Sequence, residues 1–187
     1  ELGWLTVPFR VEDDGFGGFA TDLMVIMEEF GKAMVVEPFV ATAVLGGGLI
    51  SELGSAQQKS EWLPELMGGN LQLACALAEP DSRYNLASVT TTAVVQGDSL
   101  IVDGSKIMVL NGPAADQLLV SVRTAGADRD VHGISVLLID ANSPGIHKHS
   151  YTNVDGHRAA EITFSRVKVP VERLLGAVDT AYAGLER

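Results

Sequence analysis

The apolar pattern of this chain switches period near residue 70, which confines it to a fold with helices first and strands afterwards. Before the switch, Leu23, Ile26, Met27 and Phe30 of "TDLMVIMEEFGKAM" fall at i, i+3, i+4 and i+7, one helical stripe. Thr21 and Asp22 sit just ahead of that stripe, placed to cap it. "EPFVATAVLGGGLISELG" is apolar nearly all round, as a buried helix is, and its Gly54 suits a helix end. "SAQQKSEWLPELMGG" opens on a candidate cap, Ser55, and stops at Gly68-Gly69.

Past residue 70 the period is two and β-favouring residues dominate. The predicted strands lie in "LQLACALA", "VTTTAVVQ", "SLIVDGSKIMVL", "QLLVSVRT", "GISVLLID" and "AEITFSRVKV". Turn signals at Gly97-Asp98, Asp103-Gly104, Asn111-Gly112 and Pro144-Gly145 punctuate them. "VPVERLLG" reads as a linker, and "AVDTAYAGLER" as the start of another helix. The predicted class is therefore α+β: an α-helical domain over 1–70, an antiparallel β-barrel domain over 71–170, and a linker with the start of a C-terminal helical domain over 171–187. The chain reads as a segment of a longer protein.

Charge narrows the partners. Asp and Glu total 24 against 13 Lys and Arg, a net charge of −11, which repels nucleic-acid backbones and anionic membranes. No apolar run reaches the roughly 18–20 residues of a membrane-spanning helix. The single cysteine, Cys75, rules out an internal disulfide and fits a reducing, cytoplasmic setting.

Few short motifs carry chemistry. "GFGGF" and Gly46-Gly47-Gly48 lack the strand-to-helix context of a dinucleotide cradle and read as a turn and as close helix packing. His147 and His149 share one strand face without carboxylate or thiolate partners nearby, so no metal site is expected. The stretch "ALAEPDSRYNLASVTTTA", residues 76–93, has turn composition but stands between two strands, where binding residues concentrate.

Taken in order, the pieces resemble the acyl-CoA dehydrogenase family over almost the whole chain. "WLTVPFRVEDDGFGG" is similar to the family's "L-x-V-P-E-x-x-G-G", and "LGSAQQKSEWLPELMGG" to its "G-x-x-x-Q-K-x-x-x-L-P-x-L-x-x-G". "DGSKIMVLNGPAADQLLVSVRT" resembles "N-G-x-K-x-x-I-T-N-G-x-x-A-D", and "FSRVKVPVERLLG" the exit from the family's β domain. The resemblance implies a flavoenzyme of fatty-acid degradation that oxidises an acyl-CoA thioester to the trans-2-enoyl form. In such enzymes a carboxylate base takes the proton beside the carbonyl and hydride passes to N5 of FAD. It further implies an electron-transfer flavoprotein or similar acceptor as partner, and a homo- or hetero-tetramer.

By the same resemblance the flavin ring lies against the strand entering the "EP" turn and against Met108-Val109-Leu110. The implied cofactor contacts are Cys75, Leu77, Ala78, Tyr84, Met108, Val109 and Leu110; the implied substrate contacts are Ala78, Arg83 and Tyr84. No catalytic residue is expected within the chain, because the family's base lies in the C-terminal helical domain. Two family hydroxyls are replaced. Ala78 stands for the threonine of "T-E-P-G-A-G-S-D" and Leu110 for that of "W-I-T-N-G". Losing two such hydrogen bonds weakens flavin binding by about tenfold to a hundredfold. Asp81 and Arg83 replace glycines, Tyr84 a serine, Met108 a tryptophan, and "GHRAAEITF" lacks the family's Ser-Asp-Thr element. Two other readings stay open: a non-catalytic, flavin-poor subunit of a heteromeric dehydrogenase, and a flavin monooxygenase of the same fold. Cys75, Leu77, Ala78, Met108 and Leu110 also suit a plain packed core, and Arg83 a solvated turn.

Overall fold

The computed structural model describes residues 3–187; Glu1 and Leu2, which open the predicted helical domain, lie outside the described residues. Helices occupy the first third. Short 3-10 turns at Trp4–Thr6 and Val11–Asp13 precede α1 (Ala20–Ala33). A π-helix (Val40–Gly46) runs into α2 (Gly47–Leu53), and α3 (Ala56–Met67) follows. Leu23, Ile26 and Phe30 of the predicted α1 stripe pack inward, while Met27 is exposed and lines a surface cavity instead. The α1 cap differs from the reading: the helix starts at Ala20, and Asp22 reaches back to accept the Phe19 N–H at 2.7 Å, while Thr21 plays no capping part. Ser55 caps α3 as expected, its Oγ accepting from the Gln58 N–H while Gln58 accepts from the Ser55 N–H.

Two glycines of the triplet, Gly46 and Gly47, are packing devices, while Gly48 faces open space. Gly47 lies against the buried Phe9 ring, and a Cβ there would stand 2.3 Å from Phe9 Cζ. Replacing Gly47 by alanine is expected to cost about 1–3 kcal/mol, because overpacking outweighs the gain in helix propensity. A thermal melt of the variant reads the loss; an unchanged midpoint would mean that Phe9 gives way freely.

Eight strands follow: β1 (Leu73–Ala76), β2 (Thr92–Gln96), β3 (Ser99–Leu110), β4 (Gln117–Arg123), β5 (Ile134–Asp140), β6 (Ile146–Thr152), β7 (Arg158–Pro170) and β8 (Leu174–Leu175). They form one sheet in the order β6-β7-β3-β2-β4-β5-β8, with β1 beside β4. The α+β class holds, with two corrections to the expected antiparallel barrel. The hydrogen-bonded path does not close, ending at β6 and β8, and β1 runs parallel to β4, Leu73 opposite Gln117. Closure fails where β6 is mostly exposed and polar, with Ile146 and Tyr151 only partly buried and little apolar surface left for a further strand.

Three details escaped the sequence. "HKHSYT" is a strand although its composition is polar, because it needs to bury only one side as an edge. Leu174–Leu175, inside the expected linker, adds a short strand to β5. Asp103-Gly104 is no turn: Gly104 sits within β3 at φ 146°, where a Cβ would meet Thr91 Cα at 2.6 Å. The predicted terminal helix is short, α4 (Tyr182–Leu185). Two apolar cores share the sheet. Leu118, Val120 and Val122 of β4 face one, with Phe164 and Ile162; Leu119 faces the other, with Phe9, Trp62, Leu63 and Leu66 from the helices. Burial on both faces explains the nearly unbroken apolar run of β4.

Candidate functional site

The end of β3 does not alternate. Lys106 pairs with Ile162 and Val109 with Ala160, so β3 advances three residues while β7 advances two. The extra residue is a bulge, with Met108 at φ 51°, and it resets which side chains face out. Ile107 and Met108 consequently both line the open side, Val109 turns fully into the core, and Leu110 faces out again.

These side chains meet those of two other elements. Ala41 and Leu45, one turn apart on the π-helix, and Cys75, Leu77 and Ala78, on and just after β1, join Ile107, Met108 and Leu110. Together they form an apolar shelf around a cavity of about 140 Å³. Met108 is 62% exposed and Leu110 37%, so the shelf is apolar yet open. A π-helical turn is a costly departure from α geometry that recurs at functional sites. Here it is held to β1 by Thr42, whose Oγ1 donates to the Leu73 carbonyl at 3.1 Å, and by Asn111 Nδ2, which donates to the same carbonyl at 3.2 Å. Asn111 itself sits at φ 62°, as its turn with Gly112 requires. A second cavity of about 440 Å³ shares Ala41 and Leu110 with the shelf and adds Val36, Pro38 and Met27, with Glu37, Asp155, His157 and Arg158 at its rim.

Beneath the shelf lies a buried ion pair. Lys106 Nζ stands 2.7 Å from Glu79 Oε1, with side-chain exposures of 0% and 3%. Nζ also donates to Ser121 Oγ at 2.9 Å and to the Leu77 carbonyl at 3.3 Å. Glu79 accepts the N–H groups of Thr90 and Thr91, at 2.8 and 3.0 Å, and the Thr90 hydroxyl. Burial pushes the carboxyl up, but Lys106 and these hydrogen bonds outweigh it and hold Glu79 at about 2. Burial lowers Lys106 to about 8 against the opposing pull of Glu79. The Cys75 thiol is pushed up to about 12 by burial in this apolar setting, so it stays protonated and is no nucleophile.

The predicted residues thus divide. Cys75, Leu77, Ala78, Met108 and Leu110 share the shelf; Val109 does not reach it, being a core residue at 0% exposure. Arg83 and Tyr84 line a separate polar groove with Asp81, Ser82, Asn85 and Arg129. Tyr84 is fully exposed and Arg83 sits at φ 50°, a backbone position that the family's glycine takes more easily. Ile107, Ala41 and Leu45 join the shelf without having been predicted, as do Lys106 and Glu79 beneath it. The signal was partial: a lysine inside an apolar strand needs a counter-charge, but Asp98, Asp103 and Asp116 all lie nearer along the chain, and only the fold selects Glu79. Among the described residues no cluster of three His, Cys, Asp or Glu is placed to hold a metal ion, and no helix is long and apolar enough to cross a membrane. His149 Nδ1 stands 4.0 Å from Glu161, both on the exposed strand surface.

The family descriptions "Acyl-CoA dehydrogenase, N-terminal domain" and "Acyl-CoA dehydrogenase, middle domain" match residues 1–70 and 74–167. The chain belongs to the acyl-CoA dehydrogenase family. Acyl-CoA dehydrogenase FadE12 of Mycobacterium tuberculosis is 30% identical over 193 residues, 99% of this chain and 48% of that protein. Among solved structures, the Tcur3481-Tcur3483 steroid ACAD superposes with a TM-score of 0.89 at 29% identity, over 99% of this chain and 48% of that one. The ChsE4-ChsE5 complex from Mycobacterium tuberculosis does so with 0.89 at 28%, over 98% and 48%. The chain therefore spans about half the length of the relatives it matches.

Proposed function

We propose that this chain forms the flavin-facing part of a cytoplasmic acyl-CoA dehydrogenase, with the FAD ring against the shelf and an acyl-CoA thioester beside it. The observation that carries the reading is the shelf itself: an apolar, open platform built by a bulge and a π-turn, in a chain of this family. FAD, when bound, supplies the two-electron acceptor for α,β-dehydrogenation of the acyl group. Cys75, Leu77, Ala78 and Met108 cover one ring face and keep water from it; the protonated Cys75 adds no charge there. Leu110 and Ala41, which the shelf and the larger cavity share, are placed to border both ring and acyl group. Arg83 and Tyr84 stand in their own groove, fitted to a phosphate of the nucleotide or of CoA rather than to the ring. None of the shelf residues is a carboxylate, so the proton acceptor comes from elsewhere in the protein. The organisation proposed is a helical unit to residue 70, a β unit to 170 and the start of a further helical unit, in a tetramer that passes electrons to an electron-transfer flavoprotein.

A second reading rests on Ala78 and Leu110, which lack the hydroxyls that would anchor the ring: a flavin-poor subunit paired with a catalytic one. Purifying the full-length protein alone and with the product of its neighbouring gene separates the two. A visible flavin band from the lone protein, bleached anaerobically by an acyl-CoA, supports the first reading; colour only in the pair supports the second; no bleaching with any acyl-CoA counts against a dehydrogenase. Ala78→Thr with Leu110→Thr is expected to tighten FAD binding at least about tenfold, since each restored hydrogen bond is worth about 0.5–1.5 kcal/mol. Fluorescence titration of the apoprotein with FAD measures it, and unchanged affinity would show that those hydroxyls have no partner on the ring.

A further inference from the structure

We infer that the Lys106–Glu79 pair is a clasp that fixes the two backbone segments of the shelf relative to one another, making Lys106 a positioning residue for whatever lies on it. The consequence for flavin rests on the reading proposed above. The residues beside the pair in sequence, Leu77 and Ala78 on one segment and Ile107 and Met108 on the other, are shelf residues themselves. One direct backbone bond joins the segments, from the Ile107 N–H to the Ala78 carbonyl at 2.9 Å. The pair brackets that bond. Lys106 Nζ holds the Leu77 carbonyl and the Glu79 carboxylate, while Ser121 anchors the same ammonium to β4. Glu79 in turn fixes the loop that returns to β2, through Thr90 and Thr91.

All three ammonium donors are used, and both carboxylate oxygens are occupied. A buried pair is a poor way merely to fill space, because apolar residues of similar volume are often as stable or more so. Directional bonds do what apolar packing does not: they set the height of residues 77–79 against residues 106–108. A bulged strand has no ladder at its extra residue to supply that register. The fold therefore places a charge pair where its own hydrogen bonding is interrupted.

The test uses the full-length protein with Lys106→Met, Glu79→Gln and both together. Lys106→Met leaves a buried carboxylate unpaired and lowers the thermal midpoint. Adding Glu79→Gln removes the charge and keeps one acceptor oxygen, enough for Thr90 or Thr91 but not for both, so the midpoint recovers in part. In that double variant the clasp predicts that the Ile107 amide exchanges with solvent at least about tenfold faster, while amides of the β4–β5 ladder do not change. It also predicts FAD affinity about tenfold weaker and a shifted visible band, which a purely stabilising pair would restore together with the midpoint. Glu79→Gln alone, the mildest change, carries the same exchange test should the double variant not fold. Unchanged Ile107 protection overturns the proposal, and so does an exposed Ile107 with wild-type flavin affinity and spectrum. If Ile107 loses protection but the unmodified protein holds no flavin, the clasp stands and the flavin reading fails.

Discussion

Replacing Arg123 by methionine is expected to destabilise the fold by about 3–5 kcal/mol, because it removes five hydrogen bonds at once, two to buried carbonyls and three to half-buried ones. Arg123 ends β4 at 6% exposure, and its five N–H groups all donate to backbone oxygens. Nε reaches Val89; Nη1 reaches Asp130 and His132; Nη2 reaches Ala87 and Asp128. No carboxylate is needed, since a planar fork with five fixed donors meets carbonyls converging from two loops. Arg123→Lys should recover little, as three donors on a flexible stem reach at most part of that set. Urea unfolding of the two variants gives the comparison. A loss below about 1 kcal/mol for methionine would mean that water replaces the guanidinium at most of these carbonyls. The same substitution frees the loop carrying Arg129 and the segment leaving the polar groove, so order there should fall with stability.

What the sequence disclosed and what it hid divide along a physical line. Periodicity exposed every element that buries a face: the α1 stripe, the Ser55 cap and the six apolar strands. It missed β6 and β8, which as an edge strand and a two-residue addition bury too little for a pattern to show. It also missed the bulge, because one extra residue in β3 leaves no compositional trace. Alternation alone would send Met108 inward and Val109 outward, and the fold does the reverse. Within the candidate site, apolar residue types at 75–78 and 108–110 were legible only through the family resemblance, since the same residues would suit a core. Lys106, Glu79 and Arg123 were visible as charges in apolar or turn surroundings, yet Lys106 meets Glu79 across 27 residues and Arg123 reaches Val89 and Ala87 across 34 and 36, separations at which local reading has no reach.

The second large effect is on acid stability. Glu79 is held at about 2 in the folded chain against an ordinary 4.5, so the folded state binds this proton less readily than the unfolded chain does. A carboxylate so depressed stabilises the fold fully above about 4.5, and that contribution disappears as pH falls through the folded value near 2. The gap between the two values corresponds to about 3 kcal/mol at neutral pH. Lys106 acts in the opposite sense: its folded value of about 8 lies below its ordinary 10.5, so it costs stability below about 8, and the cost is relieved as pH rises towards 10.5. The stability tied to the pair therefore falls on the acid side and not on the alkaline one, even though the Lys106 ammonium itself gives up its proton in the folded chain above about 8. Glu79→Gln should flatten the fall in thermal midpoint between about pH 4.5 and 2, while lowering the midpoint at neutral pH because Lys106 is left without a counter-charge. Parallel curves for variant and parent across that window would place the acid sensitivity on other carboxylates. Lys106→Met reverses the logic: without the ammonium, burial of Glu79 is opposed only by the hydrogen bonds from Thr90 and Thr91, its carboxyl rises, and the acid limb moves towards neutrality.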